Sequence, residues 1–134
     1  MRTLRDSSSY CGKALRRVYD EEMRIIFPIP QKISTNAFYA GLHWAQRKAI
    51  ADIYHKALLP FRNERITEFP AVISYEFSFK KRPLDSTNCA GMAKMLEDGM
   101  VAVGILPDDS YKFVRGSLLY TKKGNADEVQ ISTT

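Results

Sequence analysis

Residues 85–109 read DSTNCAGMAKMLEDGMVAVGILPDD, a stretch that joins a complete helix pattern to a dense set of acids. All four residues of the tetrad Asp85–Asn88 are common helix N-caps, so a helix is predicted to start within it and to run over about Asn88–Val103. At about 100° per residue, Lys94 and Asp98 fall on one side of this helix. The opposite, apolar side comprises Met92, Met95, Leu96, Gly99 and Val103. We therefore interpret Lys94 and Asp98 as an outward-facing pair that the core does not need.

A strand is predicted immediately before this stretch. Ala71–Phe79 alternates polar residues with large apolar ones, the period of two that is typical of a strand with one face in the core. Three cations, Lys80, Lys81 and Arg82, follow directly. Either they are an ordinary charged strand end, or they contact nucleic-acid phosphates beside the acids of the next segment.

The N-terminal half of the chain predicts a strand, a loop and a helix. Met23–Pro30 is a β-branched and aromatic run ended by prolines, which indicates a strand. A loop is expected over Gln31–Phe38, where Ser34-Thr35-Asn36 can cap or turn. Apolar residues then recur at spacings of three and four, which predicts one amphipathic helix over Tyr39–Leu58. These residues are Leu42, Trp44, Ala45, Ala49, Ile50, Ile53, Tyr54, Ala57 and Leu58.

Several residues of that helix carry separate expectations. Trp44 is interpreted as a core anchor, with stacking on nucleic-acid bases as the alternative. Arg47 and Lys48 fall off the apolar side and form either a solvated face or a DNA contact. His43 and His55 would lie roughly 18 Å apart along the helix, too far to share one metal ion, so both are expected at a surface or an interface.

Two further strands are predicted towards the C-terminus, over Lys112–Thr121 and Glu128–Ser132. Turn residues over 123–127 separate them, so the two strands are expected to close the sheet as a hairpin. Mixed element order and short hairpins argue against a doubly wound parallel sheet. The sequence thus predicts an α+β fold, with a mixed, mainly antiparallel sheet of four or five strands and two principal helices.

Composition favours a globular domain with a polyanionic partner. The 134 residues are 45% hydrophobic, enough for one domain with a real core. The net charge of +5 and the pI near 9.3 fit a partner such as DNA, RNA or an acidic protein. Residues 1–22 are interpreted as a basic N-terminal extension, either a solvated terminus or a DNA-contacting arm, ahead of a domain over residues 23–134.

Cysteine spacing and hydropathy limit the kinds of protein that the chain is expected to be. Cys11 and Cys89 are far apart and form no C-x-x-C pair, so neither a zinc site nor a disulfide framework is indicated. Reduced thiols are expected. No apolar run approaches the roughly 20 residues of a membrane helix, and the first residues lead into no signal-peptide core. We expect a soluble, intracellular protein with no membrane partner.

The acids at the end of the opening stretch suggest phosphate chemistry. Asp108 and Asp109 follow the break at residues 104–107, where the chain turns back towards the sheet. Either they are solvated loop acids, or they return beside Asp85. Two or three converging carboxylates would form an oxygen-only site suited to Mg²⁺ or Mn²⁺, completed by water and substrate phosphate. Such an ion activates water and neutralises charge on a phosphate.

The order of these residues also resembles a known family. Asp85, Asn88, Lys94, Asp98 and the pair Asp108-Asp109 resemble the motif of the RusA-like crossover-junction endodeoxyribonucleases of phages and prophages. Their pattern is D-x-D-N-x-x-K-x-x-x-D, then a glycine and a D-D pair. The resemblance covers about residues 23–132 and includes the order of strands and helices, so it implies that residues 23–134 are a RusA-like nuclease domain.

This resemblance implies a function and a role for each matching residue. The family's proteins are homodimers that bind four-way DNA junctions and cut two strands symmetrically with Mg²⁺ or Mn²⁺. The implied metal ligands are Asp85, Asp109 and Asp108. Lys94 would stabilise the phosphate, Asn88 would orient the site, and Asp98 would act as an auxiliary acid. The implied location is cytoplasmic, that of the host cell if a phage encodes the chain.

The match departs from the family pattern in two places. Thr87 stands where the family has its second acid, and three extra residues separate Asn88 from Lys94. Either the metal is held without that acid, or activity is weakened or lost. Two other hypotheses therefore accompany the nuclease. One is a non-catalytic binding or inhibitory protein on the same fold, and the other is a protein-interaction module with an acidic loop, which predicts no DNA binding at low salt.

Overall fold

The computed structural model describes residues 23–133. These residues form one four-stranded sheet with helices against one of its faces. The strands are β1 (Arg24–Pro28), β2 (Ala71–Phe79), β3 (Val114–Lys123) and β4 (Glu128–Thr133). The helices are α1 (Thr35–Gly41), α2 (Trp44–Ala57) and α3 (Ala90–Val103), with short 3₁₀ turns at Leu59–Phe61 and Ser86–Cys89. The predicted extension over residues 1–22 lies outside the described residues.

The sheet confirms the predicted α+β class with a mixed, mainly antiparallel sheet. Its strand order is β1-β4-β2-β3. β4 is antiparallel to both β1 and β2, whereas β2 and β3 are parallel and are joined through α3. β2 has the predicted bounds and alternation, and its inward residues Ile73, Tyr75, Phe77 and Phe79 are fully buried. The most apolar strand therefore occupies the centre of the sheet.

The predicted C-terminal hairpin is wrong, because β3 and β4 lie on opposite sides of β2. Their connection arches over the end of β2, where the Gly124 N–H donates to the Phe79 carbonyl at 2.9 Å. β2 buries one full face and pairs with β3 along one edge and with β4 along the other. β3, with mostly exposed or half-buried side chains, tolerates the sheet edge.

The single helix predicted over Tyr39–Leu58 is also wrong, because the chain breaks at Leu42 and His43 to form α1 and α2. α1 starts inside the predicted loop over residues 31–38, and Ser34 caps it as the sequence allowed, its Oγ accepting from the Ala37 N–H. His43 caps α2: its Nδ1 accepts from the Ala45 N–H, and its own N–H donates to Gln46. A reciprocal cap of this kind starts a new helix rather than continuing the old one.

The break explains why Trp44 is not the predicted core anchor. Trp44 is 62% exposed. It is the first residue of α2, so the register of α2 sets the direction of its side chain, and the apolar spacing of the predicted single helix does not. The residues of this region that do reach the core are Ile50, Tyr54 and Leu58. Trp44 therefore leaves a large aromatic side chain at the surface.

The helix predicted over about Asn88–Val103 is confirmed, as a 3₁₀ turn followed by α3. Its predicted apolar side is buried apart from Val103, which is half-buried. α3 packs against α2 at Gly99, where a Cβ would lie 2.6 Å from the buried Leu58 side chain. No helix within residues 23–133 has the length and apolar character needed to span a membrane.

Candidate functional site

Lys94 joins two carboxylates from different parts of the chain. Its Nζ lies 3.0 Å from Asp98 Oδ1 and 3.0 Å from Asp109 Oδ2. Asp98 follows one turn later on α3, as its spacing predicted, whereas Asp109 returns from the segment after the helix. The three side chains are about 51%, 43% and 32% exposed, so the Lys94 cluster (Lys94, Asp98 and Asp109) is open to a ligand from solvent.

A buried anchor brings Asp109 back to the helix. Gly104 ends α3 with φ at 92°, a left-handed conformation that glycine adopts without strain. Ile105 and Leu106 are fully buried, and both of their N–H groups donate to the Met100 carbonyl. The Ile105 carbonyl in turn accepts from the Ile66 N–H at 3.0 Å. These contacts fix the segment that carries Asp109, although the carboxylate itself is near the surface.

The charges of the Lys94 cluster reinforce one another. Hydrogen bonds to Asp98 and Asp109 raise the pKa of the Lys94 ammonium, and the hydrogen bond to Lys94 lowers the pKa of the Asp109 carboxyl. Both shifts favour the ionised forms at neutral pH. Two carboxylates share one ammonium, so the cluster keeps a net negative charge that a further cation can neutralise.

Glu97 and Tyr75 lie beside this cluster, and sequence reasoning missed both. The fully buried Tyr75 donates its hydroxyl to Glu97 Oε1 at 2.9 Å. Burial raises the pKa of Glu97, with Lys94 acting in the opposite direction, and burial also raises the pKa of Tyr75. Both residues line a cavity of about 200 Å³ with Lys94. The available signal was weak: Glu97 sits three residues after Lys94, at the border of the predicted apolar side.

The helical turns start within the predicted tetrad, at Ser86, but no side chain of the tetrad makes a cap hydrogen bond to α3. Asp85 precedes the 3₁₀ turn without a side-chain cap, and the N-cap of α3 is Cys89, which also makes none. The capping group is Thr35 of α1: its Oγ1 accepts from the Gly91 N–H at 2.9 Å and donates to the Asn88 carbonyl at 3.0 Å. A Cβ at Gly91 would lie 3.4 Å from Thr35 Cα, so glycine permits this close approach.

The structure does not gather all the predicted acids. Within residues 23–133, no hydrogen bond or ion pair joins Asp85 or Asp108 to the Lys94 cluster. Over the same residues, no three or more His, Cys, Asp or Glu side chains form a group that could hold a metal ion. Asp85 instead lies near Cys89, whose pKa rises to about 11 through burial and this negative charge. The metal site of Asp85, Asp108 and Asp109 stays a prediction.

The predicted basic segment after β2 is exposed and gains a further cation. Lys80 and Lys81 line a cavity of about 520 Å³ together with Lys32 and the β3–β4 loop. Lys32 lies 4.9 Å from the centre of the Phe79 ring, and it also donates to the Arg82 carbonyl. The Lys80 N–H donates to Asp127 Oδ1 at 2.8 Å. Only the folded chain brings Lys32 to this surface, because about 50 residues separate it from Arg82.

The other two predicted DNA contacts, Arg47 and Lys48, differ from each other. Arg47 is half-buried, and its Nη1 donates to the Tyr39 carbonyl at 3.3 Å, which holds it at the junction of α1 and α2. Lys48 is exposed and pairs with Asp52 at 3.4 Å on the same helix. Arg47 therefore belongs to a structured surface and Lys48 to an exposed part of α2, and the DNA contact of each stays a prediction.

Comparison with known proteins supplies no family for the chain. No protein-family model matches it, and no curated protein is significantly similar to it. A proposal about its function therefore rests on the residues, contacts and charges described above.

Proposed function

We propose that the chain is a metal-dependent endodeoxyribonuclease that cuts branched DNA such as four-way junctions. The observation that carries this proposal is the double contact of Lys94, 3.0 Å from both Asp98 and Asp109. These are the lysine and two of the acids of the pattern that resembles the RusA-like endonucleases. Lys94 thus contacts one acid on its own helix and one fifteen residues further along the chain. Carboxylates that can bind a cation and an ammonium that can neutralise a phosphate are groups that phosphodiester cleavage uses, which supports the proposal.

A second observation favours functional use of the tetrad before α3. Helix capping would account for Asp85 and Asn88 without any role in binding or catalysis. Thr35, however, makes the cap hydrogen bond of α3. The Asp85 carboxylate and the Asn88 side-chain amide make no hydrogen bond to another group within residues 23–133. Within these residues the fold therefore makes no hydrogen-bonding use of either side chain.

The carboxylates present fit a divalent cation. Asp98 and Asp109 already converge on one positive charge, the Lys94 ammonium. Mg²⁺ is commonly held by one or two carboxylates plus waters and substrate phosphates, so this chain does not need a closed cage of three acids. In the proposed site Asp109 would hold Mg²⁺ or Mn²⁺ together with Asp85 and Asp108, with Asp98 as the auxiliary acid; within residues 23–133 only Asp98 and Asp109 pair with Lys94. The bound ion would supply an activated water molecule and neutralise charge on the phosphate.

The remaining groups have roles that follow from their charge and position. Lys94 neutralises charge that develops on the phosphate during cleavage, since its ammonium is held in the ionised form. Asn88 orients the substrate through its side-chain amide. Phosphates of the DNA arms bind the cations that follow β2, Lys80, Lys81 and Arg82, and also Arg47 and Lys48. A homodimer would present two such sites to a two-fold junction, in the cytoplasm of the cell or of a phage host.

One experiment tests this proposal. Purified protein is incubated with a labelled four-way junction and with the matching linear duplex, in Mg²⁺, in Mn²⁺ and in EDTA. The expected result is paired, symmetric cuts in the junction that require the metal, with little cutting of the duplex. Asp109→Asn greatly slows cutting, whereas Asp52→Asn, the same change at an exposed aspartate of α2, does not. Unchanged cleavage by Asp109→Asn would contradict the proposal.

A non-catalytic DNA-binding or inhibitory protein on this fold is the second candidate. The observation that favours it is Thr87, a hydroxyl where the resembling family has its second acid. Such a protein keeps the basic surface of Lys32, Lys80 and Lys81. It predicts salt-sensitive binding of the junction with no cleavage in either metal.

A further inference from the structure

A polar groove of about 580 Å³ runs between the start of α1 and the turn that precedes α3. This volume lies within the roughly 300–1,000 Å³ of small-molecule sites. We call it the α1–α3 groove, and it is lined by Ser34, Thr35, Asn36, Tyr39, Thr87 and Asn88. One of these lining residues, Asn88, is the amide that the proposed function uses to orient the substrate.

The lining of the α1–α3 groove is polar but uncharged. The hydroxyls of Ser34 and Thr35 are already used, the first as the cap of α1 and the second as the cap of α3. The side-chain amides of Asn36 and Asn88 form no hydrogen bond anywhere in the described chain, residues 23–133. Each amide offers both donors and an acceptor. A neutral, hydrogen-bonding ligand such as a nucleobase with its sugar suits this lining better than a phosphate.

Tyr39 gives the groove an aromatic platform. Its side chain is 51% exposed, and its ring meets the buried Phe38 ring edge-on, with centroids 4.9 Å apart and planes at 85°. Arg47 donates to the Tyr39 carbonyl at 3.3 Å, so a guanidinium lies at the same corner. An anchored ring with a free surface is what base stacking requires, and an adjoining arginine can hold the neighbouring phosphate.

We propose that the α1–α3 groove binds an unpaired nucleotide next to the scissile phosphate, with its base stacked on Tyr39 and its edge bonded by Asn36 and Asn88. This inference rests on the proposed function. A base inside a duplex is stacked on both faces and cannot reach Tyr39, whereas a base at a branch point leaves its stack at lower cost. The groove would therefore supply the preference for branched over linear DNA.

Photo-cross-linking tests the groove directly. A four-way junction carries 5-iodouracil at the branch point and is irradiated with the protein in EDTA, so that binding is read without cleavage. The cross-link is expected at Tyr39 by mass spectrometry. Tyr39→Leu should bind the junction roughly 5- to 150-fold more weakly, the equivalent of about 1–3 kcal/mol for one stacked base. Tyr39→Phe keeps the ring and should bind as the wild type does.

Tyr120→Leu is the matched control, since Tyr120 is also 51% exposed but pairs in register with Glu76 on the open face of the sheet. Asn36→Ala, at an exposed side chain, should weaken binding roughly 5-fold even if Tyr39→Leu proves unstable. A cross-link outside the groove, or equal affinity in Tyr39→Leu and Tyr120→Leu, would contradict nucleotide binding in the groove. The proposed nuclease function would not be affected by either result. Absence of both junction binding and cleavage in the wild type overturns the proposed function, and the groove with it.

Discussion

The Lys94 ammonium lies 3.0 Å from a carboxylate oxygen of Asp109, fifteen residues further along the chain. α3 points Lys94 outward, and the buried residues Ile105 and Leu106 return the chain so that Asp109 meets it. An ion pair this exposed stabilises a fold by at most about 1 kcal/mol. Folding gains little from the contact, so its removal can be tested for an effect on activity with little change in stability.

Lys94→Met removes the ammonium while keeping most of the side-chain length. We expect junction cleavage to slow by about 10²- to 10³-fold, comparable to the loss of one preorganised group that stabilises the transition state. The free energy of unfolding should change by about 1 kcal/mol or less, because the pair is exposed. Single-turnover rates with thermal unfolding provide the measurement. Lys122→Met, at another exposed and paired lysine, is the control and should cleave normally.

Lys81 is predicted to contact a DNA phosphate, because it is exposed in the cavity shared with Lys32 and Lys80. Lys81→Gln should weaken junction binding and reduce the slope of log affinity against log salt concentration by about 1, the effect of one lost phosphate contact. Binding titrations at several salt concentrations measure this slope. Lys56→Gln, an exposed cation elsewhere on α2, should leave the slope unchanged. An equal effect of both changes would point to net charge alone.

Thr35 connects the start of α1 to the start of α3, so its hydroxyl should matter for stability. Thr35→Val keeps the shape but loses the cap on the Gly91 N–H, at an expected cost of about 0.5–2 kcal/mol in the free energy of unfolding. Thr35→Ser should retain most of that stability. Denaturant unfolding measures the difference, with Thr67→Val, at an exposed threonine, as the control. Equal stability of Thr35→Val and wild type would contradict this assignment.

Glu97 should make stability depend on pH. Burial raises its pKa above the ordinary 4.5, so the neutral form is favoured in the folded chain. Its stabilising contribution is therefore fully present below pH 4.5 and is lost as the pH rises through the raised value. Glu97→Gln keeps an acceptor for the Tyr75 hydroxyl and is always neutral. It should raise the melting temperature at pH 7 but not near pH 4, whereas the exposed Glu64→Gln should change neither.

The elements with a strong internal period could be predicted from sequence. β2 alternates without interruption, and the apolar side of α3 repeats at helical spacing, so both have nearly the predicted bounds. The prediction of one long helix was wrong because the apolar spacing continues through Leu42 and His43, where a local cap starts a second helix. The prediction of a hairpin was wrong because the order of strands in a sheet depends on which strand buries most surface. The short connection between β3 and β4 gives no information on that order.

In the candidate site, too, local contacts could be predicted from sequence and long-range contacts could not. Lys94 and Asp98 could be paired from sequence because they lie one turn apart on one helix. The contact of Thr35 with Gly91 and that of Tyr75 with Glu97 join elements far apart in the chain, and no local pattern predicts them. Lys32 reaches the basic surface for the same reason.

The central claim is that Lys94 and Asp109 act together on one phosphodiester, and a double-mutant cycle on junction cleavage tests it most directly. The single-turnover rates of wild type, Lys94→Met, Asp109→Asn and the double variant are compared in Mg²⁺. Residues that act as a unit lose their effect together, so the double variant should be about as slow as the slower single variant. Losses that simply multiply, or cleavage that neither change affects, would contradict the account.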